Sequence, residues 1–177
     1  MEYTIEKLLA EEQWKQLNVI EGKESCKRKI EGIRIIEVPE MARYLTGGEL
    51  LLTSLYVYRD CSAEEFYQYL IAFEEKHISG ILLKEREQIS EKEKKIKLLK
   101  TYCESKKIPL IEMPKKISFW VMISFVMNRI FTKDVARLRY FKLTQDNFNT
   151  LSFGRDITSS KTQDILELLS DMVDNPV

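Results

Sequence analysis

The stretch Thr46-Gly47-Gly48-Glu49-Leu50-Leu51-Leu52-Thr53-Ser54 decides how the rest of this chain is read. Paired glycines reach backbone angles closed to other residues, so they permit a tight reversal or the close approach of another backbone. The apolar run behind them is too short for an ordinary helix and does not alternate with polar residues. That pattern suits a strand covered on both faces. Thr53 and Ser54 then fall at the carboxyl end of a buried strand, the side on which open α/β sheets bind ligands. Two readings of their hydroxyls stand side by side: backbone capping at the end of a core strand, or contact with a ligand.

Working outward, the same kind of segment recurs. Ile33 to Val38 is rich in β-branched residues, lies between Gly32 and Pro39, and reads as a strand. Downstream, Ser62-Ala63-Glu64-Glu65 has capping-box spacing and opens a helix with Phe66, Leu70 and Phe73 on one stripe. Ile78 to Leu83 is the next buried strand. A second capping box at Ser90-Glu91-Lys92-Glu93 opens a helix with Ile96, Leu99 and Cys103 inward. Ile108 to Met113 is a strand closed by Pro114, and Pro109 near its start marks an edge strand or an unpaired first position. Strand, helix, strand, helix, strand across residues 50 to 113 is the order of right-handed βαβ units. Ahead of them, Thr4 caps a short opening helix and Leu17 to Ile20 reads as a strand. The predicted fold class is α/β: a small, largely parallel sheet with flanking helices, followed by a C-terminal helical extension.

That extension begins where the pattern changes, at Ser118. Phe119 to Phe131 is apolar nearly all round, and a helix of that kind must be buried all round. A small sheet covers one side of it. The other side predicts a partner helix or a second copy of the chain, with Trp120, Ile123, Met127, Ile130, Leu138 and Phe141 as candidate interface residues. The expected organisation is an α/β domain over residues 1–117, a long helical packing segment over 118–149, a linker over 150–160, and a helix over 161–177 leading into a further domain.

Composition bounds the function. The 177 residues are 44% hydrophobic and 32% charged, which suits a well-solvated domain with a real core. Basic and acidic residues number 28 each, so no global electrostatic footprint for nucleic acid exists. Cys26, Cys61 and Cys103 are widely spaced and form no CxxC pair, which points to reduced thiols in a cytoplasm. The most apolar stretch, Ile117 to Phe131, falls short of the roughly 20 residues that span a bilayer. No P-loop, GxGxxG, HExxH or EF-hand pattern occurs. His77 is the single histidine, and it lies in no nucleophile motif. No catalytic residue, metal ligand set or cofactor is therefore predicted. A parallel sheet would instead gather Glu37, Glu40, Thr53, Ser54, Lys84, Glu85 and Glu112 toward one edge. Mixed charge and hydroxyls there suit a small polar metabolite.

Glu37-Val38-Pro39-Glu40, followed by Tyr44-Leu45 and the Thr46–Thr53 run, resembles the hallmark "YLxGGELLLTT" of the N-terminal domain of purine-catabolism-regulator-like (PucR-like) bacterial transcription regulators. Ile108-Pro109-Leu110-Ile111-Glu112-Met113-Pro114 followed by Phe119 is similar to a second segment of that family. Ile165-Leu166-Glu167-Leu168-Leu169 and Asn175-Pro176-Val177 look like the run into its central domain. The chain departs at Ser54-Leu55-Tyr56, where the family commonly carries a glycine. The resemblance implies a cytoplasmic effector-sensing and dimerising domain. A C-terminal domain outside this chain would make the DNA contacts. It also adds Gly47 and Gly48 to the candidate ligand-binding residues. The alternative is a ligand-free oligomerisation scaffold.

Overall fold

The computed structural model describes residues 2–84, 88–132, 135 and 142. The chain divides into two units, Glu2–Ile130 and Phe131–Val177, the latter grouped with Met1. In the second unit the described residues, 131, 132, 135 and 142, are helical. Glu85, Leu138 and Phe141, the expected linker and the expected last helix lie outside the described residues.

The first unit is a five-stranded sheet with helices on both faces. Its elements are α1 (Ile5–Ala10), β1 (Asn18–Glu21), β2 (Gly32–Ile35), β3 (Glu49–Thr53), α2 (Ala63–Ile71), β4 (Gly80–Leu83), α3 (Lys92–Ser105) and β5 (Leu110–Glu112). A last helix, α4, covers residues 119–130 of this unit. The strand order is β1-β5-β4-β3-β2. β2 to β5 are mutually parallel, and β1 lies antiparallel on β5.

Every residue of β3 is buried, and the triple leucine alternates between two cores. Leu51 joins Ile81, Leu83 and Leu110 beneath α2 and α3. Leu50 and Leu52 join Leu82 and Ile111 on the opposite face, under Ile5 and Leu8 of α1 and Met122 and Val126 of α4. The parallel strands advance one step at a time in one direction, so right-handed crossovers send α2 and α3 to the same face. The chain after β5 then crosses to the other face. The strand connections therefore leave the carboxyl edge toward opposite faces.

β1 and β2 occupy opposite borders of the sheet, so the segment between them must traverse its whole amino edge. It does so by touching the start of each parallel strand in turn. Gly22 lies against the Ile108 carbonyl. The Arg28 guanidinium donates to the Ile78 carbonyl at 2.7 Å. The Glu31 N–H donates to the Gly48 carbonyl at 2.9 Å.

Local chemistry sets the element boundaries. Ser62 caps α2 in a full capping box with Glu65, as its spacing predicts. α3 differs from its predicted start. Glu91 is its N-cap, with no side-chain cap of its own. Its carboxylate instead accepts the Ala63 N–H at 2.9 Å and so serves the start of α2. Pro109 takes the unpaired first position rather than an edge, because β5 is flanked by both β1 and β4.

Candidate functional site

The carboxyl edge is built by register. Thr53 pairs with Leu83, and Leu83 with Glu112. Thr53 and Glu112 thus stand in one row, at the ends of β3 and β5 on either side of β4, with Ser54 and Lys84 one residue beyond Thr53 and Leu83. The Ile36 N–H donates to the Leu52 carbonyl at 2.9 Å, which carries the β2 exit along the same edge and leaves Glu37 exposed there. Glu40 is also exposed, ahead of the one-turn helix Met41–Tyr44.

Each of these groups has a definite environment. Thr53 is buried, and its hydroxyl accepts the Leu55 N–H at 2.9 Å. This is the backbone-capping role. It serves Leu55, which takes the left-handed region at φ 58, a conformation that favours glycine. The bond supports that turn at the point where the resembled family commonly has glycine. Ser54 is half-buried and Glu112 exposed. Lys84 reaches furthest. Its Nζ donates to the Ile117 carbonyl at 2.6 Å and lies 5.6 Å from the centre of the Phe119 ring. A cation on the edge thereby holds the entrance to α4.

Gly47 and Gly48 stand elsewhere, at the amino end of β3, so they do not share an edge with Thr53. Both have positive φ, 111 and 76. The Gly48 N–H donates to the His77 carbonyl at 3.2 Å. Glu49 closes this turn. Its buried carboxylate accepts the Thr46 N–H, the Thr46 hydroxyl and the Gly47 N–H, each at 2.8 Å. Burial works to raise its pKa, but these three donors outweigh it and hold the carboxyl below its ordinary value.

The folded carboxyl is thus the stronger acid, so its stabilisation is complete above the unfolded pKa of about 4.3 and fades as pH falls through the lower folded value. Glu49→Gln keeps an acceptor but loses the charge, and is expected to cost about 1–2 kcal/mol at pH 7. Urea midpoints measured from pH 7 to pH 3 should fall less steeply for Glu49→Gln than for the unaltered chain. Parallel curves would show that the carboxylate charge is not what holds the turn.

One group at the edge lay outside the sequence expectations. Lys95 is fully buried on the stripe of α3 that also carries Leu99 and Tyr102. Its Nζ donates to the Tyr58 carbonyl at 2.8 Å and to the Ser90 hydroxyl at 3.0 Å. The Cys61 thiol donates to the same Tyr58 carbonyl at 3.2 Å. The sequence signal was spacing: Lys95 stands four residues before Leu99. Burial raises the Cys61 thiol pKa above its ordinary value despite the nearby Lys95 charge. Burial likewise raises Cys26, and pushes Cys103 up to about 12. All three cysteines are therefore held as protonated thiols, which are weak nucleophiles. The backbone of His77 takes the left-handed region at φ 47, where the one-turn helix Glu74–Lys76 ends.

The candidate interface residues separate by face. Ile123, Met127 and Ile130 pack against the second core, whereas Trp120 is 73% exposed. Phe125 meets Trp14 edge-on at 5.4 Å, and Arg129 ion-pairs with Glu11 at 2.9 Å. Among the described residues no helix is long and apolar enough to cross a membrane.

The model of the purine catabolism regulatory protein-like family matches residues 7–130, and the chain belongs to that family. It is also similar to the purine catabolism regulatory protein of Bacillus subtilis (strain 168), with 24% identity over 161 residues. That alignment covers 90% of this chain and 29% of the relative, so the chain spans under a third of that protein's length.

Proposed function

We propose that this chain is the effector-sensing and dimerising domain of a bacterial transcription regulator. It would act in the cytoplasm on a DNA-binding domain that lies outside the chain. One observation carries the sensing role: Lys84 sits on the carboxyl edge and its Nζ holds the Ile117 carbonyl at 2.6 Å. A ligand oxygen that recruits the Lys84 Nζ competes with that carbonyl and loosens the start of α4. Such a ligand shifts the balance between two conformations by the difference in its affinity for them. Ser54, Glu37 and Glu112 supply a hydroxyl and two carboxylates around the same edge. The fitting ligand is a small polar metabolite with both an acidic or carbonyl oxygen and N–H donors. No catalytic step is assigned to the domain, in keeping with its membership of a regulator family.

A thermal-shift screen of polar metabolites against the chain tests this. At a concentration about 100 times its dissociation constant, a true ligand adds about 2.7 kcal/mol. For a domain of this size that is a rise of about 5–10 °C in Tm. Lys84→Ala should abolish the rise while lowering the ligand-free stability by only about 1–2 kcal/mol. A ligand whose effect survives both Lys84→Ala and Ser54→Ala would place the site elsewhere.

A further inference from the structure

We infer that α4 works as a lever: its entrance is the end that a ligand releases, and the contact of Arg129 with the Glu11–Trp14 segment is the fulcrum about which it tilts. The inference rests on the reading of Lys84 as the sensing contact and adds the point at which the response is held.

α4 is fastened at both ends, to different parts of the first unit. Its entrance hangs on the carboxyl edge through the Lys84 Nζ, 2.6 Å from the Ile117 carbonyl and 5.6 Å from the centre of the Phe119 ring. Its last turn closes on the segment between α1 and β1. There the Arg129 Nη2 donates to one oxygen of the Glu11 carboxylate at 3.0 Å and lies 2.9 Å from the other. The same guanidinium covers the Phe125 ring at 5.1 Å, and that ring meets Trp14 edge-on at 5.4 Å. An ion pair with a half-exposed arginine is a weak fastening by itself. The stacked guanidinium and the aromatic pair over buried Trp14 widen it into a contact of several groups.

The two fastenings differ in what stands behind them. Lys84 offers a flexible side chain that a ligand oxygen can turn away. Glu11 is the C-cap of α1, and α1 is bonded into the amino-edge traverse. The Ile5 and Glu6 N–H groups donate to the Arg28 and Cys26 carbonyls at 3.2 and 2.7 Å. The Trp14 carbonyl accepts the Leu17 N–H at 2.9 Å, one residue ahead of β1. Glu11 and Trp14 therefore belong to the fixed frame. Between the fastenings Met122 and Val126 are fully buried, so a helix that loses its entrance contact stays on the sheet. Residues 119–130 span about 18 Å of stiff helix. Released at one end and held at the other, such a rod tilts as a unit. The first unit ends at Ile130, one residue past Arg129, so the fulcrum stands where α4 leaves it.

Hydrogen exchange on the whole chain, followed by mass spectrometry, tests this, with Lys84→Ala standing in for the captured lysine. Lys84→Ala should raise exchange at residues 122–125 about tenfold and leave residues 127–130 within about twofold of the parent chain. Arg129→Ala alone should raise exchange at 127–130 about two- to fivefold. Together the two should raise exchange along all of α4 by more than the product of the single effects. Glu11→Gln should reproduce Arg129→Ala, and the charge exchange Glu11→Arg with Arg129→Glu should restore the parent rates at 127–130. All three side chains are partly exposed, so the circular dichroism spectrum of each variant should match that of the parent. No rise at 122–125 in Lys84→Ala, an even rise along the whole helix in that variant, or unchanged exchange at 127–130 in Arg129→Ala would each overturn the lever. None of these readouts uses a metabolite. A chain with the lever pattern and an empty ligand screen loses the sensing role alone, and a ligand response without the pattern overturns the lever alone.

Discussion

Lys95→Ala is expected to cost the first unit about 3–5 kcal/mol, read as a fall in the urea midpoint at unchanged slope. The side chain is fully buried in α3, so truncation leaves a cavity where its methylenes packed. The polar loss adds to it. Lys95 is the charged donor to the Tyr58 carbonyl, which the Cys61 thiol also reaches, and that carbonyl ends the one-turn helix Tyr56–Tyr58. It also donates to Ser90, whose hydroxyl bonds the Arg59 and Cys61 carbonyls in turn. The ε-amino group thus pins the loop between β3 and α2 to the start of α3. Lys95→Met separates the two contributions. It restores most of the volume without the donor and is expected to recover roughly half of the loss, leaving about 2 kcal/mol for the lost charge-assisted hydrogen bonds. If Lys95→Met were as stable as the parent chain, packing alone would explain the burial and the loop would not depend on this hydrogen bond.

That lysine also shows where sequence patterns stop being informative. Leu50-Leu51-Leu52 could be read as a doubly covered strand because a continuous apolar run admits few other placements. Its flanking units then followed from capping boxes and prolines, whose effects are local. Ser62 and Ser90 carry the same local signal, yet only Ser62 caps a helix. Ser90 is drawn instead to the Arg59 and Cys61 carbonyls by a loop distant in sequence. Lys95 sits at a helical core position, but its acceptors come from Tyr58 and Ser90 in the folded chain, and no period in α3 encodes them. At the edge, the gathering of Thr53, Ser54, Lys84 and Glu112 was legible because parallel strands share a direction. Lys84's hold on Ile117 was not, because it depends on the chain crossing to the second face after β5. The diglycine belonged with Thr53 in sequence and lies at the other end of β3 in space. In α4, composition revealed a helix with two apolar sides, but only packing shows which side the sheet takes. Ile123, Met127 and Ile130 go inward, which leaves Trp120 and Val121 as the exposed apolar side chains.

Gly22→Ala is expected to cost about 4 kcal/mol, more than alanine at either glycine of the conspicuous pair. Gly22 has φ 68 and ψ 34, and leaving glycine in that left-handed region costs about 1–2 kcal/mol. The larger part is steric. An added Cβ would lie 2.5 Å from the Ile108 carbonyl oxygen and 2.7 Å from its carbon. Both atoms are backbone, so relief requires moving the chain itself. Movement there has consequences, because Ile108 leads into β5 and the adjacent Pro109 carbonyl accepts the Ile81 N–H at 2.8 Å. Gly48 makes the contrast. Its φ of 76 carries a similar conformational cost, but its added Cβ meets the side chain of Glu31 at 2.7 Å. That side chain is 52% exposed and can swing into solvent, so Gly48→Ala should cost about 1–2 kcal/mol. Urea unfolding of the two variants beside the parent chain gives the ordering directly. A Gly22→Ala midpoint at or above that of Gly48→Ala would mean that the chain does not press against β5 as it begins its traverse of the amino edge.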